Sequence, residues 1–305
     1  MTSPLSRELH KRVLGAIRAV RSEEFHDGRM ELYYLAHEHD HLVDILGVMV
    51  EEELAPTIRE DFLLMAAKQV PWKLRELLDR DQQAAEIALK HRDFRELSGG
   101  PEALVGWVMD QPEAIRKNHI ELLARSAIEE AMAQPETEPH LLRLLAEQNV
   151  LGSVKFARPL LASKHQKIGP LLFLVDMAER RAPGFNHAKR TMEVVALLVD
   201  GGANLEERIE GYGEDGSGVT PLGFACQLLD TLANLPSNKR NIDAKKILAG
   251  ALLTAGGRWQ GLDRGDTLSA KMVREHPAWR KDMLAQTADL GGSETHRGES
   301  RKMKL

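Results

Sequence analysis

A single cysteine, Cys226, excludes any intrachain disulfide, and it falls on the apolar face of an expected helix, where it reads as a small buried hydrophobe and not as a nucleophile. Aromatic residues make up only 5% of the chain while leucine and alanine recur throughout, which suits closely packed helices better than a β-sandwich. No charge of one sign dominates. A net charge of −5 gives no overall footprint for nucleic acid. No apolar run is long enough to span a bilayer and no signal-peptide core opens the chain, so the expectation is a soluble, cytoplasmic protein without membrane insertion. A Walker loop, a G-x-S-x-G elbow, paired cysteine clusters and kinase signatures are all missing. What is there is a 305-residue chain, 43% hydrophobic and 29% charged, enough for one elongated domain or two compact ones.

The strongest local signal is Thr220-Pro221-Leu222-Gly223-Phe224-Ala225. Threonine caps free backbone N–H groups, proline fits a first helical turn without losing a hydrogen bond, and the small alanine permits close packing. It follows Glu193-Val194-Val195-Ala196-Leu197-Leu198-Val199-Asp200-Gly201-Gly202-Ala203-Asn204, a buried helical stripe with a glycine stop that releases the chain into a turn. Together these segments resemble the two halves of an ankyrin repeat. The resemblance implies an all-α solenoid of stacked helix-turn-helix repeats with β-turn fingers, acting as a protein–protein interaction module with another protein as partner.

The pattern is most complete between Gly169 and Leu284. Gly169-Pro170-Leu171-Leu172-Phe173-Leu174 opens one first helix, whose partner follows only after an insert containing Ala182-Pro183-Gly184-Phe185-Asn186-His187. A second insert, Leu235 to Asn241, precedes Ile247-Leu248 and Leu252-Leu253-Thr254-Ala255-Gly256-Gly257. Matching Leu197 to Leu252 gives a spacing of 55 residues, against roughly 33 in the family. Thr267 to Val273 with Ala278 to Leu284 reads as a C-terminal cap. Towards the N-terminus the repeats degenerate. Thr57 to Asp79, and Leu32 to Ala36 with Asp40 to Leu46, are looser matches; Ile120 to Ala133 with His140 to Glu147, and Ala84 to Met109, are helix pairs without the threonine-proline signature.

Ser3 to Arg21 reads as an amphipathic helix with Leu9, Val13, Ile17 and Val20 on one face, better suited to capping the end of the stack than to a membrane surface. The expected organisation is an N-terminal capping helix (1–26), degenerate helical repeats (27–168), ankyrin-like repeats with insertions (169–290) and a flexible tail (291–305).

Two enzyme patterns match by letter. His37-Glu38-His39-Asp40-His41 satisfies H-E-x-x-H, the zinc-peptidase spacing, and makes a zinc-dependent hydrolase the alternative. Against it stand the polar residues between the histidines, the lack of a following Gly-x-x-His, and a repeat register that ends the helix before His41. Gly211-Tyr212-Gly213-Glu214-Asp215-Gly216 spells G-x-G-x-x-G, but its two carboxylates would repel a phosphate, so it reads as a lengthened finger. The expectation is therefore a chain with no catalytic residues, no metal and no cofactor. Its candidate partner-binding residues are Glu206, Glu207, Arg208, Glu210, Tyr212, Glu214 and Asp215 on the finger, with Arg258 and Trp259 on the next turn.

Overall fold

Apolar residues at helical spacing build eleven α-helices among the described residues, and one two-stranded hairpin is the sheet found there. The computed structural model describes residues 7–22, 25–38, 42–53, 59, 62, 85, 89, 100–159, 165–180, 185, 187–209, 218–233, 239–259, 261–277 and 280–281. The expected helix pair at Thr57 to Asp79, most of Ala84 to Met109, the finger tip at residues 210–217 and the tail 291–305 lie outside them, fully or largely. The chain forms two compact units, Met1–Ser126 and Ala127–Leu305.

In the first unit, α1 (Arg7–Val20) buries Val13, Ala16, Ile17 and Val20 against α2 (Phe25–Glu38) and α3 (Leu42–Glu51). Its apolar stripe is thus covered by protein, with Val13, Ile17 and Val20 each stabilising by roughly 1.5–3 kcal/mol on full burial. Gly28 of α2 is where the two helices meet: a methyl group there would come within 2.6 Å of the Ala16 carbonyl oxygen. The Arg12 guanidinium donates through Nε and Nη2 to Glu31 Oε1 at 3.0 and 2.9 Å, tying the same pair on its exposed side. Further on, Pro101 opens α4 (Pro101–Asp110), and Trp107 stacks on the His119 ring of α5 (Glu113–Ala133) with centroids 5.3 Å apart.

The second unit is built by recurrence. Helices α6 (His140–Glu147), α8 (Ala188–Asp200) and α10 (Lys239–Thr254) pack in one row; α7 (Pro170–Arg180), α9 (Pro221–Ala233) and α11 (Leu268–Glu275) pack in the other. The helices of the first row stop in the same way. Asn149, Gly202 and Gly256 take φ of 52°, 91° and 100°, the left-handed turn that ends a helix. After α8 the Ala203 N–H donates to the Leu198 carbonyl at 2.9 Å, and after α10 the Gly257 N–H donates to Leu252 at 2.9 Å. Consecutive turns also touch, the Gly152 N–H donating to the Gly201 carbonyl at 3.1 Å.

After α6 and again after α8, the chain leaves and rejoins the helices as an antiparallel pair before the next helix of the second row. Strands β1 (Phe156–Pro159) and β2 (His165–Ile168) pair Phe156 with Ile168, and an isolated bridge pairs Ile209 with Val219. The spacing is the same at both. Phe156 and Ile209 each stand seven residues beyond the left-handed turn, and Ile168 and Val219 each stand two residues before the proline that opens the next helix. Both pairs are therefore one structural device used twice.

The second row is fixed by polar contacts as well as apolar ones. Thr220 Oγ1 accepts from the Gly223 N–H at 3.2 Å and Thr267 Oγ1 from the Ala270 N–H at 3.2 Å, so α9 and α11 open alike. Asp230 at the end of α9 accepts from the Ser269 N–H and hydroxyl at 2.9 and 2.6 Å. Pro170 through Ala178 of α7 are all buried. Arg158 of β1, 7% exposed, lies 2.6 Å from Asp176 and 3.4 Å from Glu179, with its guanidinium 5.3 Å from the centre of the Phe224 ring. Lys245 of α10 is buried and donates to the Ala178 carbonyl near the end of α7. Burial pushes its ammonium pKa down to about 8, with Glu179 acting in the opposite sense. On the first row, Arg190 is buried and donates to the carbonyls of Pro135 and Thr137, which clamps the α5–α6 connection to α8.

Candidate partner-binding surface

The base of the finger between α8 and α9 is fixed by hydrogen bonds within the chain. Asn204 Oδ1 accepts from the Glu206 N–H at 2.9 Å, turning the chain outward, and Ile209 and Val219 exchange two backbone hydrogen bonds at 3.0 and 3.2 Å. Gly218 has φ 76°, and a methyl there would meet the Ile209 carbonyl oxygen at 2.8 Å, so this crossing requires glycine. Arg208 Nη1 donates to the Gly218 carbonyl at 3.1 Å, bracing one arm against the other.

Neighbouring fingers are linked by charge. Glu207 Oε1 accepts from Lys155 Nζ at 2.6 Å and from the Gly169 N–H at 2.9 Å, both on the preceding finger. Gly169 leaves room for it, since a methyl there would overlap the Glu207 carboxylate. On the other side Glu206 Oε2 lies 3.5 Å from Arg258 Nε. The first link is sheltered, Glu207 being 15% exposed, whereas Arg258 is 74% exposed and its pairing contributes little to stability.

Two of the residues expected to meet a partner are therefore placed otherwise. Trp259 is 8% exposed and belongs to the buried apolar residues instead of the surface. Glu207 is spent within the chain, on Lys155 and Gly169. Glu206, Arg208 and Arg258 do come together. With Gly218, Val219, Thr220, Gly223 and Leu262 they line an open cavity of about 450 Å³ above the first turn of α9. Glu210, Tyr212, Glu214 and Asp215 lie outside the described residues. Gly218, Val219, Thr220, Gly223 and Leu262 were not among the contact residues expected from the sequence, because their place beside the cavity depends on the finger and the next turn lying together.

The enzyme patterns are not assembled into a site among the described residues. Only His37 and Glu38 fall within α2, which ends at Glu38, and His39 to His41 lie outside the described residues. Among the described residues no group of three or more histidine, cysteine, aspartate or glutamate side chains is placed to hold a metal ion. Gly211 to Gly216 also lie outside them. Cys226 is buried, and desolvation followed by the nearby Asp230 carboxylate raises its thiol pKa to about 12. A thiol held protonated in this way is a poor nucleophile. Among the described residues no helix is long and apolar enough to cross a membrane.

No protein-family model matches the chain, and neither does any curated protein or solved structure.

Proposed function

We propose that this chain is a non-catalytic protein–protein interaction module, an ankyrin-like α-solenoid whose fingers meet another protein. The observation that carries this reading is the recurrence of helix, left-handed stop, antiparallel finger and proline-opened helix across Asn149–Pro170 and Gly202–Pro221, with the same offsets from stop to finger and from finger to proline. Stacked units of this kind expose a row of finger tips on a rigid support, and recognition by surface loops held on a packed scaffold follows from that geometry. The sheltered pair between Lys155 and Glu207 ties one finger to the next, so less order is lost when a partner binds. A single buried cysteine suits a reducing, cytoplasmic setting.

The reading is tested by capture from the native host. The tagged full chain is expected to retain a defined protein in stoichiometric amount, identified by mass spectrometry, and to carry no equivalent of zinc by elemental analysis. A full equivalent of zinc, lost in His37→Ala, establishes the hydrolase instead.

A further inference from the structure

We draw no further inference here: the strongest candidate, the open cavity of about 400 Å³ between the α5–α6 connection and the start of α8, carries nothing, because the guanidinium groups of Arg143 and Arg190 that line it are already paired within the chain with Glu138 and Glu193 and nothing in the structure shows what occupies it.

Discussion

Replacing Arg158 by methionine removes one half of a buried ion pair and leaves the other half stranded. Arg158 is 7% exposed and Asp176 8%, with Nε and Oδ1 2.6 Å apart, so neither group is well solvated in the fold. The arginine also reaches Glu179 at 3.4 Å and lies against Phe224. Breaking a buried pair from one side costs about 3–5 kcal/mol, because the remaining charge has lost its partner without regaining water. Arg158→Met and Asp176→Leu should each lower the stability of the second unit by that order. The double replacement Arg158→Met with Asp176→Leu should cost much less than the two single losses combined, because no orphan charge remains. Urea unfolding followed by circular dichroism gives the three differences, and hydrogen exchange of β1 and β2 locates them. Single losses below about 1 kcal/mol, or a double mutant no better than additive, would refute the assignment of this pair as a buried lock between the first finger and α7.

Lys245 supplies a pH test. Its ammonium titrates at about 8 in the fold and at the ordinary 10.5 when unfolded, so between those values the unfolded chain binds more protons. Relative to Lys245→Met, which removes this group and leaves the other titrating groups in place, the chain should gain up to about 3 kcal/mol of stability between pH 8 and pH 10.5, as the difference in urea midpoints at pH 7.5 and 10 will register. Gly169→Ala should displace the Glu207 carboxylate and cost about 1–3 kcal/mol by thermal melting, whereas Gly223→Ala should stabilise. Gly202→Ala should cost about 1–2 kcal/mol, since φ there is 91° and the new methyl would stand 2.8 Å from Asn149 Oδ1.

Helices are legible in the sequence where apolar spacing is strong. The stretch His140 to Glu147 coincides with α6 residue for residue, and the threonine at 220, the proline after it and the glycines at 201 and 202 mark where α9 starts and α8 stops. The first finger is not legible. Its strands read Phe-Ala-Arg-Pro and His-Gln-Lys-Ile, with the large apolar residues only at the base, so the two-residue alternation of a half-buried strand never appears. Arg158 escapes for a different reason: its acidic partners lie in the following helix, and only the folded chain brings them to it. Trp259 shows the limit of composition, since an aromatic residue beside an exposed arginine reads as a contact residue until its burial is known. The cavity beside Arg208 and Arg258 depends on a finger, a helix start and the next turn lying side by side, which spacing within one repeat does not express.

The most direct test of the account is hydrogen–deuterium exchange of the full chain with and without its captured partner. Protection concentrated in residues 204–209, 218–223 and 258–259, with helices α8 and α10 of the first row unchanged, is the predicted result. Protection confined to the first unit, or to α8 and the α5–α6 connection, would contradict recognition by the fingers.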